Sequence, residues 1–237
     1  METCGYFGKI PSAKDFLFQG LPMRITERWA GHMAEWLARG NKAHPADWQQ
    51  HMLRSPVWRF ALDKDIVSAE AWIGLLAGSI DGAGRLFPFT TMMQVDVDLA
   101  RHQPFDAIDR LLDGLEPCFL DFMQGDIEKP ALMAALVSTT RALGQGPALP
   151  GAVSLLLPTD TDRALCRVGT RSSQTPVFVA APRNVAPAGD GTGLTAWWHG
   201  GTSSAEPALC VSRGLLPAPI SVALFDGDWL RHGWDRR

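Results

Sequence analysis

The chain has 237 residues, 46% hydrophobic and 20% charged, which supplies a core and argues against global disorder. A formal net charge of −3 and a pI near 6.1 give no broad basic surface for nucleic acid. The four cysteines (Cys4, Cys118, Cys166, Cys210) form no CxxC pair, the start METCGYFGK is unlike a signal peptide, and no apolar run approaches the roughly 20 residues of a membrane helix; a reducing cytoplasm is the expected compartment.

In chain order, residues 4–10 (CGYFGKI) predict a short first strand, and PSAKDFLFQGLP a loop with turn residues at both ends. Residues 23–39 predict a helix, because Ile25, Trp29, Met33, Trp36 and Leu37 fall on one stripe of a 3.6-residue period. Gly40 is the expected end of that helix. A shorter helix over 46–54 should stop at Ser55-Pro56.

Three strands are expected next. VWRFAL (57–62) alternates, with Val57, Arg59 and Ala61 on one side and Trp58, Phe60 and Leu62 on the other. AWIGLLAGSI (71–80) is apolar throughout, as a strand buried on both faces would be. FPFTTMMQV (87–95) follows the loop GSIDGAGR, so 71–95 reads as a hairpin-like pair.

The middle is helical. Pro104 suits a first turn, and Phe105, Ile108, Leu112, Leu115, Phe119 and Phe122 step by three and four, with Pro117 expected to kink or break the helix near 116. Packing on a sheet suits this stripe better than a coiled coil, since it is too short for one. A further helix is expected from Pro130 to Leu143, capped by Gly144. GQGPALPG (144–151) is a candidate subdomain boundary within one domain over 1–237, and AVSLLL (152–157) reads equally as strand or helix. Strands are expected at 176–181, 194–199 and 208–212, a surface loop at 182–193, a short helix at 218–226, and a frayed tail at 235–237. Strand-rich and helix-rich blocks alternate without a βαβ rhythm, so the expected fold is α/β with a mixed sheet and helices on both faces. Nine tryptophans against one tyrosine are expected to serve mainly as core anchors.

Catalytic motifs are sparse. Gly84 is followed by Arg85 and Leu86, not the Lys-Ser/Thr of a phosphate-binding P-loop. GDGTG (189–193) lacks dinucleotide-fold spacing. The histidines His32, His44, His51, His102, His199 and His232 show no familiar ligand spacing, and Asp160 and Asp162 read as a polar turn, so no metal or cofactor is expected. Charges embedded in aromatic and glycine-rich stretches stand out: Lys9, Lys14, Asp15, Arg59, Asp81 and Arg85. Arg59 lies within an apolar strand and must reach solvent or find a carboxylate, for which Asp15 and Asp81 are the candidates. Lys9, Asp15, Arg59, Asp81 and Arg85 then form either a structural ion-pair network or a binding surface. A nucleotide- or phosphate-binding enzyme using the loops around Asp15 and Asp81 is the alternative reading.

Four blocks, in order, resemble the TagF family of bacterial type VI secretion accessory proteins: Gly5-Tyr6-Phe7-Gly8-Lys9-Ile10-Pro11 with Asp15-Phe16 and Gly20-Leu21-Pro22; Ser55-Pro56-Val57-Trp58-Arg59-Phe60; Ser79-Ile80-Asp81, Gly84-Arg85 and Phe87-Pro88-Phe89-Thr90; and Trp197-Trp198. The resemblance implies a three-layer α/β sandwich. It also implies a cytoplasmic, non-enzymatic regulator that represses type VI secretion after translation. Its partners would be secretion components, a forkhead-associated (Fha) scaffold protein among them.

Overall fold

The structure, a computed structural model, describes residues 3–95, 105–145, 177–180, 193–203, 205, 207–232 and 235–236. Its strands are β1 (Cys4–Gly8), β2 (Leu17–Gln19), β3 (Trp58–Leu62), β4 (Ala71–Ala77), β5 (Phe89–Val95), β6 (Val177–Ala180), β7 (Leu194–His199), β8 (Ala208–Arg213) and β9 (Asp235–Arg236). They form one sheet in the order β2-β1-β5-β4-β3-β7-β8-β6-β9. Every pairing is antiparallel except β6 with β8, so the sheet is mixed. β4 and β5 pair from Ala71–Val95 to Ala77–Phe89, the expected hairpin. β3 joins β7 across more than a hundred residues of sequence, with Arg59 opposite Trp198.

The helices are α1 (Met23–Ala43), α2 (Trp48–Arg54), α3 (Phe105–Gln124), α4 (Lys129–Gln145), α5 (Ala218–Ser221) and α6 (Ala223–Asp226). Alternate strand residues divide between two cores. Trp58, Phe60, Leu62, Trp72, Leu76 and Met92 pack with Ile25, Trp29, Met33 and Trp36 of α1, with α2 and with the α5–α6 segment. Ala61, Ile73, Leu75, Phe89 and Met93 pack on the other side with Ile108, Leu112, Leu115, Phe119 and Phe122 of α3 and with Leu132 and Leu136 of α4. A period of two in the strands and of 3.6 in the helices produces this division, and helices lie against both faces as in an α/β sandwich. Each fully buried large side chain contributes roughly 1.5–3 kcal/mol. Trp29, Trp36, Trp48, Trp58, Trp72 and Trp197 are among the most deeply buried, which bears out their role as anchors.

Several local expectations are corrected. The loop after β1 contains β2, whose residues Leu17 to Gln19 run along β1. Gly40 does not end α1, which continues to Ala43; a Cβ there would lie 2.0 Å from the Trp48 ring, so the glycine admits close packing. Pro117 neither breaks α3 nor faces the core: it is exposed, and the buried stripe continues through Phe119 and Phe122. Gly144 lies inside α4 rather than capping it. The segment 218–226 forms two short helices, and Asp235–Arg236 is not frayed but pairs with β6. Pro104, the loop 182–193 apart from Gly193, residues 152–157, Asp160, Asp162 and most of the boundary at 144–151 lie outside the described residues.

Candidate functional site

The glycine-rich connection between β4 and β5 is closed by an isolated bridge between Ile80 and Leu86. Within it the Asp81 N–H donates to the Arg85 carbonyl at 3.1 Å, and the Gly84 N–H to the Asp81 carbonyl at 2.8 Å. Gly84 has φ +79°, a left-handed conformation that disfavours any residue with a Cβ. The Asp81 carboxylate is buried inside this turn. Its Oδ1 accepts the N–H groups of Ala83 (3.0 Å) and Arg85 (2.9 Å), while Oδ2 pairs with Arg85 Nε at 2.7 Å and Lys9 Nζ at 3.0 Å. Burial by itself pushes the Asp81 carboxyl up. The Arg85 amide, the Lys9 ammonium, the Arg85 guanidinium and the Ala83 amide outweigh it and hold the group well below the usual carboxylate range. The loop thus cradles an anion, and the anion is its own carboxylate.

The loop is also stitched to residues 9–15. Gly82 N–H donates to Ala13 O and Arg85 Nη2 to Lys14 O, each at 2.7 Å. Lys9, itself buried, lies 4.8 Å from the centroid of the Phe16 ring. Asp15 is exposed, and its Oδ1 accepts the N–H of Phe16 at 2.8 Å. Of the five candidate residues, then, Lys9, Asp81 and Arg85 come together, and Asp15 stands at their edge.

Arg59 does not join them. Strand alternation turns it to the opposite core, where it meets three acids of α3: Asp109, Asp113 at 2.8 Å and Glu116 at 2.8 Å. Asp15 and Asp81 are therefore not its partners. The acids lie at i, i+4 and i+7, one face of a helix. Asp109 Oδ1 also accepts the indole N–H of Trp198 at 2.7 Å, so the Arg59–Trp198 cross-strand pair grips one acid together. Burial works against the guanidinium's charge, but Glu116 and Asp109 overcome it and raise its pKa above the ordinary value. This cluster clamps α3 to the sheet.

The sheet ends at β2, and exposed apolar side chains stand along the chain there: Phe16 (39%) and Phe18 (59%) at the strand, and Met23 (61%) at the start of α1. Phe16 stacks on Phe7, which lies opposite Phe18 in the ladder. Lys14, Asp15 and Arg85 are exposed beside them. An apolar edge rimmed by charge is the composition of a protein contact surface.

A second feature escaped the sequence reading. A cleft of about 590 Å³ is lined by Asp47, His51, Trp58, His199, Asp226 and Trp229, among others. His199 accepts the Gly201 N–H on Nδ1 at 3.1 Å, and burial first, then Arg59, hold its pKa down to about 4. Asp226 lines the cleft, and behind it His44 Nε2 and His232 Nε2 lie 2.7 and 2.6 Å from the same Asp226 oxygen. His44, Asp47 and His51 do stand at i, i+3 and i+7, a local hint of a shared face. Asp226 and His232 join them only through the tertiary fold.

The turn and the Arg59 clamp are held by internal partners, and together with the mixed sheet they describe an α/β protein with an exposed apolar sheet edge. The chain belongs to the TagF N-terminal domain family, type VI secretion system-associated, whose model matches residues 5–139. No curated protein matches the chain. Among solved structures, it is similar to the crystal structure of PA0076 from Pseudomonas aeruginosa PAO1, at 23% identity and a TM-score of 0.60 over 95% of this chain and 94% of that one. That likeness is one of fold.

Proposed function

We propose that the protein is a non-enzymatic, cytoplasmic regulator that represses type VI secretion after translation by binding a secretion component. The observation that carries this reading is the family match over residues 5–139, which takes in three of the four blocks that resemble TagF. The Fha scaffold is the first partner to test, because the resemblance implies it. The sheet edge at Phe16, Phe18 and Met23, rimmed by the exposed Asp15 and Arg85 with Lys9 and Asp81 buried behind them, is the proposed contact surface. The β3–β7 pairing supports treating 1–237 as one domain, because it joins the matched region to the remainder in a single sheet. The alternative, an enzyme built on Asp15 and Asp81, draws no support from a carboxylate already ringed by internal donors. Among the described residues no helix is long and apolar enough to cross a membrane.

The test is export of a type VI effector with the gene deleted, restored and overexpressed, together with capture of secretion components on the purified chain. The expected result is higher export on deletion, lower export on overexpression and capture of Fha or another apparatus protein. Phe18→Ser with Met23→Lys should abolish capture and leave the melting temperature unchanged. Unaltered export in all backgrounds would sink the proposal.

A further inference from the structure

We propose that His44, Asp226 and His232 form a binding site for one divalent transition-metal ion of the zinc class. The three side chains come from distant parts of the chain. His44 follows α1, Asp226 ends α6, and His232 returns to it after a turn through Gly227, whose φ of 72° is left-handed. Their donor atoms all lie within 4.8 Å of one another. Their side chains are 11%, 2% and 6% exposed, so the carboxylate and both imidazoles are largely withdrawn from water.

The hydrogen-bonding pattern favours an ion. Asp226 Oδ1 accepts the Asp228 N–H at 2.9 Å, which orients the carboxylate and leaves Oδ2 to face both Nε2 atoms. On the far side of the His44 ring, Nδ1 lies 3.7 Å from Asp47 Oδ1. His44 therefore has a carboxylate before each nitrogen. A neutral imidazole carries one proton, so without an ion one of its nitrogens presents a lone pair to an anion. A metal on Nε2 removes this conflict. The lone pair coordinates, and the proton sits on Nδ1, on the side of Asp47, whose carboxylate would need to close by less than about 1 Å to complete the outer carboxylate partner seen around such ions.

The donor set, two imidazoles and one carboxylate, suits zinc and excludes the oxygen-only preference of calcium and magnesium. Zinc–ligand bonds of about 2.0–2.1 Å in a tetrahedron place donors about 3.3 Å apart. The two contacts of 2.6 and 2.7 Å would open by about 0.6 Å, within reach of small side-chain rotations. Three protein ligands leave a position open. Asp226 and Asp47 also line the cleft, through which the ion and a fourth ligand can enter. The bound ion would tie the end of α1, in the family-matched region, to the C-terminal segment.

The experiment uses the full chain without a polyhistidine tag, stripped of metal and titrated with Zn²⁺ against a chromophoric chelator, with thermal melts alongside and Co²⁺ as the spectroscopic probe. The expected result is one equivalent of Zn²⁺ bound at sub-micromolar Kd, a raised melting temperature, and the visible spectrum of four- or five-coordinate Co²⁺. His232→Ala and Asp226→Asn should each weaken binding by at least about 100-fold, more than loss of an outer partner does. His51→Asn should leave it within about threefold. Absence of zinc binding by the wild-type chain overturns the proposal, since the imidazoles then only hydrogen-bond to Asp226. Loss of binding on His51→Asn with Asp226→Asn unaffected also overturns it, because the ion would then sit on His44, Asp47 and His51. The wild-type titration decides even if a variant fails to fold.

Discussion

Replacing Arg59 by methionine keeps most of the side-chain volume and removes the charge that three acids share. Removing one partner of a buried ion pair costs about 3–5 kcal/mol when the survivors stay buried. Here the survivors differ. Asp113 is 62% exposed and regains water, while Asp109 and Glu116 are 26% and 27% exposed. Asp109 also keeps the Trp198 N–H. The cost should therefore sit near the lower end, at about 3 kcal/mol, a fall in melting temperature of about 6–12 °C for a chain of this size. Urea unfolding at pH 7, followed by tryptophan fluorescence and far-ultraviolet circular dichroism, measures it. Double-mutant cycles apportion it: coupling to Asp113→Asn should be below about 1 kcal/mol, as for exposed pairs. Coupling to Glu116→Gln should be about 1.5–3 kcal/mol, as for hydrogen bonds to charged groups. Arg59→Lys should fall between wild type and Arg59→Met, because an ammonium cannot reproduce the fork. If Arg59→Met unfolds within about 0.5 kcal/mol of wild type, or couples more strongly to Asp113 than to Glu116, the clamp reasoning is wrong.

Two further predictions concern stability. Gly31 and Gly40 share α1, yet a Cβ at Gly31 meets nothing within 4 Å and one at Gly40 meets Trp48 at 2.0 Å. Gly31→Ala should stabilise by up to about 1 kcal/mol through helix propensity, while Gly40→Ala should destabilise by about 1–3 kcal/mol through overpacking; the same sign for both in chemical denaturation would contradict the packing described. His32 and His199 are each held down to about 4 from an ordinary 6.5, first by burial. The folded state then binds fewer protons than the unfolded chain between those values. Stability is full above pH 6.5 and falls as the pH drops towards 4, by at most about 3 kcal/mol per histidine. Unfolding free energies measured from pH 7.5 to 4.5 should show the decline, and His199→Asn should reduce its slope; a pH-independent profile would refute the neutral buried state.

Much of the architecture was legible because burial repeats with the period of the element. The alternation of Trp58, Phe60 and Leu62 against Arg59 and Ala61 named the two faces of β3, and the stripe from Ile108 to Phe122 named the buried side of α3. Local rules failed where tertiary packing overrode them. Pro117 stays in α3 because its neighbours on the stripe are buried, and Gly40 stays in α1 because an indole fills the space its missing Cβ leaves. The three-residue strand β2 is too short for periodicity to reveal.

The candidate site divides in the same way. Asp81 and Arg85 are four residues apart, so the chain alone determined that they would meet across a tight glycine turn, and order along the sequence was enough to recognise the family. Which carboxylates Arg59 finds was decided by the side of the sheet on which α3 packs, a fact with no local trace. His44, Asp226 and His232 carry no motif at all. They converge because α1 and the α5–α6 segment bury their apolar faces in one core, and hydrophobic burial is indifferent to separation along the chain.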